Sequence, residues 1–343
     1  MSSTPFQIVL GTRTSRIAAL ALLATVIVLA CAPWWGEAAT LSLLMQVYAY
    51  LALATLWNLL AGFSGLVSVG QQAFVGIGGY GLFALTIFGG LHPLVAVLVA
   101  GIGAAILAVP VAGLLFRLRG AYFAIGSWVV AEVFRLLASQ IAPLGGGSGT
   151  SLPVRVVTAM AATRRDRELM IYWAALVFAL VIVGLVVLFL RSRHGLALRA
   201  IHHNEVAAQS NGVDVTRTRL TVYVLCAFGT AMVGALIFLQ KLRISPDAAF
   251  SVNDWTAFVI FITVIGGVGR IEGPMVGTIL FFILRQTLAD LGSLYLLMLG
   301  VIAIAVMLKA PRGVWGYVAE KFDLDLVPLE RRVLFTAQKE TAP

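Results

Sequence analysis

Residues 191–220, RSRHGLALRAIHHNEVAAQSNGVDVTRTRL, form the longest polar interruption in the second half of an otherwise apolar chain. Within it, Leu198, Ile201 and Ala208 fall at helical spacing among charged and polar residues. Gly212 follows where a helix end favours a residue that takes positive φ. The pattern predicts one short amphipathic helix whose charged face contacts water. Because so short a helix is unstable alone, we expect it to dock against something else.

Composition places the chain in a membrane. Of its 343 residues, 60% are hydrophobic and 11% are charged, whereas a soluble domain carries about 25% charged residues. The net charge of +9 comes largely from arginines in short loops beside apolar runs, which is typical of cytoplasmic loops rather than of nucleic-acid binding. Two cysteines in apolar segments indicate no disulfide framework. We predict an all-α integral membrane protein.

The apolar runs predict about ten transmembrane helices, at the length of about 20 residues that a bilayer needs. The predicted spans are residues 17–31, 41–61, 65–88, 94–116, 122–138, 169–190, 221–239, 255–267, 274–288 and 294–308. We expect a transmembrane domain of residues 1–318 and a cytoplasmic tail of residues 319–343. With both termini in the cytoplasm, most loop arginines lie on the cytoplasmic side, as the positive-inside rule requires.

The two halves of the predicted span list would have opposite topology, as in transporters built from inverted repeats. Five spans precede the long outer interval near residue 150 and five follow it. A faint sequence echo relates the Phe-Val-Gly-Ile-Gly-Gly of residues 74–79 to the Phe-Ile-Thr-Val-Ile-Gly-Gly of residues 261–267. We therefore expect an inverted 5+5 repeat.

The glycine-rich third span has three readings. Gly76-Ile-Gly78-Gly79-Tyr-Gly81 matches the letters of a dinucleotide-binding fingerprint, but that motif requires a preceding strand and a βαβ unit. Small residues that let helices approach closely explain it better. The same glycines also suggest a broken helix, which survives at membrane depth where it lines a cavity or is enclosed by protein. On this reading, the substrate path includes Ser68, Gln71, Gln72 and Phe74.

Two charged residues lie inside the fifth predicted span. Glu132 and Arg135 are three positions apart and share one helix face. Each would be costly alone at a helix centre, so we expect them to pair. The pair is either a structural ion pair or a contact to a charged substrate or gate. We include both residues in the candidate substrate path.

Other chemistry is not indicated. His202 and His203 point apart on a helix, and with Glu205 they lack a further nearby ligand, so we predict no metal site. No arrangement resembles a nucleophile–base pair, and we predict no enzyme activity. A P-loop is also absent, since none of the lysines follows a glycine. If ATP drives this protein, another subunit must bind it.

The chain resembles the permease subunits of the branched-chain amino acid ABC transporter family. The resemblance spans roughly residues 40 to 318 and rests on stretches quoted as they stand. These stretches are GLVSVGQQAFVGIGGY (65–80), RLRGAYFAI (117–125) with Glu132 and Arg135 after it, GLALRAI (195–201), ISP (244–246), GGVG (266–269) and APRG (310–313).

The polar stretch also resembles the ATPase-facing loop of ABC importers, Glu-Ala-Ala, three residues, then Gly. Here Glu205-Val-Ala207-Ala208-Gln-Ser-Asn-Gly212 keeps that core with one residue inserted after the glutamate. The resemblance implies that residues 191–220 are a coupling loop, with contacts from Arg199, His202, Asn204, Glu205, Ala207, Ala208 and Gly212. We expect the small alanines to let the helix seat in a partner's cleft.

The same resemblance implies an importer of branched-chain or other small amino acids in the bacterial inner membrane. Its expected partners are cytoplasmic ATPase subunits, a second permease subunit, a periplasmic substrate-binding protein and membrane lipid, with no nucleic acid. The chain itself would bind no cofactor, since ATP would be hydrolysed by the partners. Two alternatives stay open: a permease for urea or short amides, which Gln71 and Gln72 would also suit, and an ion-coupled secondary transporter.

Overall fold

A computed structural model describes residues 6–9, 13–161, 163–288, 292, 294–322 and 332–335. The α-helices are α1 (Arg13–Trp35), α2 (Ala38–Asn58), α3 (Gln71–Ile87), α4 (Pro93–Leu115), α5 (Ala121–Ser139), α6 (Val154–Met160), α7 (Arg164–Arg191), α8 (Arg193–His203), α9 (Glu205–Ser210), α10 (Val215–Lys241), α11 (Pro246–Ala249), α12 (Phe258–Gly266), α13 (Glu272–Leu288), α14 (Leu294–Lys309) and α15 (Gly313–Phe322). π-Helical turns Leu59–Phe63 and Asn253–Ala257 extend α2 and precede α12.

Short antiparallel strands complete the fold. β1 (Phe6–Val9) pairs with β4 (Arg332–Phe335), and β2 (Thr150–Ser151) pairs with β3 (Arg243–Ile244). The second pair ties the interval after α5 to the end of α10. Leu152 N donates to Leu242 O at 2.9 Å beside it.

Each predicted span overlaps a helix, and the all-α membrane class is confirmed. In the described part of the chain, eight segments are long and apolar enough to cross a membrane. α3 and α13 are shorter, at 17 residues each. The number of crossings and the inverted relation of the two halves therefore stay predictions.

α10 is the central helix of the bundle, since it packs against α2, α3, α4 and α7. The neighbouring α4 faces inward with alanines four positions apart, and their small side chains bring the helix backbones close. These alanines, each at most 5% exposed, are Ala96, Ala100, Ala104, Ala108 and Ala112. The opposite side of α4 carries large exposed apolar side chains such as Ile102 and Ile106, as suits a lipid-facing surface.

Glycines bring α3 and α10 even closer together. A Cβ added to Gly78 would lie 1.9 Å from Ala231 O, and one added to Gly234 would lie 2.3 Å from Val75 O. Such contacts are closer than any side chain allows. The interpretation of the glycine run as close helix packing is confirmed.

The predicted domain boundary between residues 318 and 319 falls within α15 and stays a prediction. α15 packs against α12 and α13, and its Ala319 is 3% exposed. α15 is therefore part of the packed bundle. Most of the predicted tail, residues 323–331 and 336–343, lies outside the described residues.

Candidate functional site

The 191–220 loop folds as two helices, α8 and α9, rather than the single helix that the spacing predicted. Asn204 separates them in an extended conformation, with φ −159° and ψ 108°. Its side-chain oxygen accepts a hydrogen bond from Ala207 N at 3.0 Å, which caps α9. Gly212, at φ +84°, ends the segment as predicted. Because the Asn204 side chain bonds to the backbone of the following turn, it favours the end of α8 and the start of α9 at this position.

Buried apolar residues hold both short helices against the bundle. Leu198 of α8 is fully buried, and Ile201 packs with Ala208 of α9 and Val215 at the start of α10. Gly195 lets α8 turn tightly after α7, since a Cβ there would lie 2.1 Å from Leu190 O. Ala208 is only 3% exposed, and its side chain fixes α9 to its own chain. The expected contact of Ala208 with a partner stays a prediction.

The outward side of the loop presents a mixed polar and apolar surface. We call the exposed residues His202, His203, Asn204, Val206 and Ala207 the loop surface. Val206 is 73% exposed and was missed by the sequence reasoning. A valine in the polar stretch, two residues after Asn204, was the available signal in the sequence.

Two predicted coupling residues face inward more than expected. Glu205 accepts a hydrogen bond from Arg219 of α10, with Oε2 and Nη2 3.1 Å apart. Arg199 is half-buried. Glu205 therefore ties α9 to the helix that runs through the core of the bundle.

The predicted third span begins with an irregular segment, residues 64–70, and its helix starts only at Gln71. Side chains from other helices form hydrogen bonds with the backbone of this segment. Trp57 Nε1 donates to Ser68 O at 2.8 Å, and Val69 N donates to Ser127 Oγ at 2.9 Å. Non-helical backbone inside an apolar bundle persists only with such partners. The interruption was predicted, but Ser127 was not singled out.

A small pocket lies where this segment meets α10. Three of the residues expected along the substrate path, Ser68, Gln71 and Phe74, line it together with residues of α2 and α10 such as Tyr223 and Thr230. Their role in a path stays a prediction. Its volume of about 20 Å³ suits about one water molecule. Gln71 Nε2 donates to Leu53 O at 3.0 Å, whereas Gln71 Oε1 has no partner among the described residues. The small pocket is too small to hold an amino acid.

Gln72 points away from the small pocket. Its side-chain oxygen accepts a short hydrogen bond from Thr256 Oγ1, in the π-helical turn before α12. Gln72 N also donates to Thr256 Oγ1, at 3.3 Å. Gln72 therefore joins two interrupted helices at a fully buried contact.

Glu132 and Arg135 pair as expected, with Arg135 Nη2 2.6 Å from Glu132 Oε1. Arg135 Nη1 also reaches Asp247 Oδ1 of α11 at 2.8 Å. The side chain of Asp247 is 83% exposed. This network fastens α5 to α11, and neither predicted residue lines the small pocket or the larger cavity described next.

A cavity of about 880 Å³ opens between α2, α7 and α10. It lies at the end of the bundle where α2 and α7 begin, opposite the loop surface; we call it the large cavity. Its charged lining residues are Arg164, Arg167, Glu168, Lys241, Asp254 and Arg285. Sequence reasoning did not find it, although Ser42, Gln46 and Tyr50 of α2 recur every four residues and line it.

Comparison with known families decides the class. Residues 39–308 match the family described as branched-chain amino acid transport system / permease component. The chain belongs to this permease family. The matched region runs from the start of α2 to the end of α14, so it contains the loop surface, the small pocket and the large cavity.

Individual relatives agree with this membership. The permease is 27% identical over 314 residues to the high-affinity branched-chain amino acid transport system permease protein LivM of Escherichia coli, covering 85% of this chain and 73% of that protein. The LivM protein of Salmonella typhimurium is 26% identical over 316 residues, covering 86% and 74%. The ribose import permease protein RbsC of Bacillus subtilis is 33% identical over 146 residues, covering only 40% and 45%. No solved structure matches this chain.

Proposed function

We propose that this permease is the membrane-spanning subunit of an ATP-driven importer of branched-chain amino acids. The observation that carries the proposal is the loop surface: two short capped helices stand at one end of the bundle, fixed from beneath and exposed outward. Family membership and the two LivM relatives support the substrate class. The ATP would be bound and hydrolysed by separate cytoplasmic subunits, and this chain would carry no ATPase site of its own.

The contacts that hold α8 and α9 against α10 suit the loop surface to transmit force. Ile201 of α8 and Ala208 of α9 pack with Val215, the first residue of α10. The Glu205–Arg219 ion pair also joins α9 to α10. A push on α9 is therefore delivered directly to α10. Since α10 lines both the small pocket and the large cavity, its displacement would change the width of the path.

The proposed setting follows from the positions of the charges. The loop surface faces the cytoplasm of a bacterial inner membrane, and both chain termini lie on that side. The large cavity then faces outward, towards a periplasmic substrate-binding protein. A second permease subunit and membrane lipid cover the exposed apolar faces of the bundle. Arg135 of α5 and Asp247 of α11 lie at the outward end of the bundle.

A pair of matched valine substitutions tests the docking surface. Val206 and Val154 are 73% and 76% exposed on short helices at opposite ends of the bundle. We expect Val206→Asp to reduce co-purification of the ATPase subunits roughly tenfold, because a charge replaces an apolar contact at the interface. Val154→Asp should leave it unchanged. The readout is the ratio of ATPase subunit to tagged permease after purification in mild detergent. Equal recovery from both variants would contradict docking at this surface.

A further inference from the structure

Three charged side chains in the large cavity are positioned without being neutralised. Among the described residues, Arg167, Lys241, Asp254 and Arg285 form no ion pair within 4.0 Å, whereas Glu168 at the same cavity pairs with Arg164 at 2.7 Å. Of these four, Lys241, Asp254 and Arg285 are the ones that neutral neighbours position. Lys241, Asp254 and Arg285 line the same cavity, and Lys241 Nζ lies over the ring of Trp255, the residue after Asp254. Asp254 and Arg285 are half-buried, whereas Lys241 is exposed. Partly withdrawing the charges of Asp254 and Arg285 from water is costly unless something compensates them.

Neutral neighbours hold each of the three charges in place. Lys241 Nζ lies 4.9 Å from the centre of the Trp255 ring, as a cation–π contact. Asp254 Oδ2 accepts a hydrogen bond from Ser251 Oγ at 2.8 Å. Arg285 Nη1 lies 3.4 Å from Gln46 Oε1. The side chains are thus oriented while their charge stays available to a ligand.

An apolar wall lies beside these charges. Tyr50 and Trp255 are 5% and 4% exposed and stack with their ring centroids 6.0 Å apart. Met45 and Ile237 extend the apolar lining. The cavity of about 880 Å³ lies within the range of about 300–1,000 Å³ that small-molecule sites occupy. Two cations, one acid and an apolar wall complement a small molecule that carries a carboxylate, an ammonium and an apolar group.

We propose that the large cavity is a binding site, within a single copy of this chain, for a free amino-acid zwitterion. Its carboxylate lies between Lys241 and Arg285, its ammonium faces Asp254, and its apolar side chain packs against Tyr50 and Trp255. This proposal rests on the proposed function and narrows it. Urea and neutral amides would leave all three charges uncompensated, so the site selects against them.

Protection of a cysteine in the cavity tests the proposal. Ala49 lines the cavity and is partly exposed, so Ala49→Cys is introduced into a Cys31→Ser chain; the remaining Cys226 is 5% exposed. The full transporter is purified with its partners into nanodiscs of phosphatidylcholine and phosphatidylglycerol. The rate of reaction with a soluble maleimide is measured with and without leucine. We expect leucine to slow the reaction at Ala49→Cys but not at Ser148→Cys, in the exposed interval after α5.

Charge variants identify the groups involved. Asp254→Asn should raise the leucine concentration needed for protection roughly tenfold or more, because the ammonium loses its charged partner. 4-Methylpentanoate, which lacks the ammonium, should protect the parent chain as weakly as leucine protects Asp254→Asn. Glu37→Gln removes an exposed acid at the same end of the bundle that does not line the cavity, so it should leave protection unchanged.

The outcomes separate this proposal from the proposed function. ATP-driven leucine uptake by the same preparation in proteoliposomes, without protection of Ala49→Cys, overturns the zwitterion site and leaves the importer standing. Loss of uptake in the parent chain counts against the importer itself. Equal protection by leucine in the parent and in Asp254→Asn also overturns the site. If phosphatidylethanolamine protects the cysteine and leucine does not, the occupant is a lipid headgroup and the proposal fails.

Discussion

At the residue scale, Asn58 joins two parts of the bundle that are far apart in sequence. Its Nδ2 donates to Arg270 O at 2.7 Å, and its Oδ1 accepts from Gly269 N at 2.8 Å, 211 residues further along the chain. The residue is 2% exposed. It therefore supplies the hydrogen-bond partners of two backbone groups in the tight turn between α12 and α13.

Replacing Asn58 should be costly. Asn58→Leu leaves the two backbone groups unpaired, and we expect a loss of about 1–3 kcal/mol of stability, measured as a lowered midpoint of thermal unfolding in detergent. The matched control is Thr86→Val. Thr86 is equally buried, but its hydroxyl donates to carbonyls of its own helix, so its removal leaves no backbone group without a partner. Equal midpoints for the two variants would contradict this role of Asn58.

At the residue scale, sequence reasoning succeeded where a local rule decides the conformation. Gly212 takes positive φ because it ends a helix, and Glu132 pairs with Arg135 because helical spacing puts them on one face. The break at Asn204 was missed, since the sequence around it has neither glycine nor proline. The burial of Ala208 was not predicted, because it depends on Val215, which follows it only after a turn.

At the scale of elements, glycines set the distance between α3 and α10. Gly78 allows α3 to lie against the backbone of α10. We expect Gly78→Ala to push the helices apart and to cost about 1–3 kcal/mol or more. The readouts are the yield of monodisperse protein and its thermal midpoint in detergent.

Gly103→Ala is the matched control for Gly78→Ala. Gly103 lies in helix α4, and a Cβ there would meet nothing within 4 Å. The added methyl group should leave stability unchanged or raise it by up to about 1 kcal/mol, through helix propensity. A stable Gly78→Ala variant with an unchanged midpoint would show that α3 and α10 are less tightly packed than the structure indicates.

Helices were predictable as elements because an apolar membrane requires every backbone group to be satisfied within its own segment. Their irregularities were partly predictable from glycine, as in residues 64–70. The large cavity was not predicted, because it is formed by residues from α2, α7, α10 and α13 that are far apart in sequence. Only the polar residues spaced by four on α2 hinted at it.

At the scale of the whole molecule, the loop surface and the large cavity lie at opposite ends of one helix, α10. Val215 at its start packs with α9, and Lys241 at its end lines the cavity. This arrangement places the expected point of ATPase contact and the expected point of substrate entry on the same rigid element. A helix displaced at one end moves at the other, so the geometry suits coupled transport.

Transport by the reconstituted complex tests the central claim most directly. The permease, its second permease subunit and the ATPase subunits are placed in liposomes with the substrate-binding protein and labelled leucine on the outward-facing side. We predict leucine uptake that requires ATP hydrolysis and continues when ionophores collapse all ion gradients. Leucine accumulation by this chain alone, driven by an ion gradient and indifferent to ATP, would contradict the account.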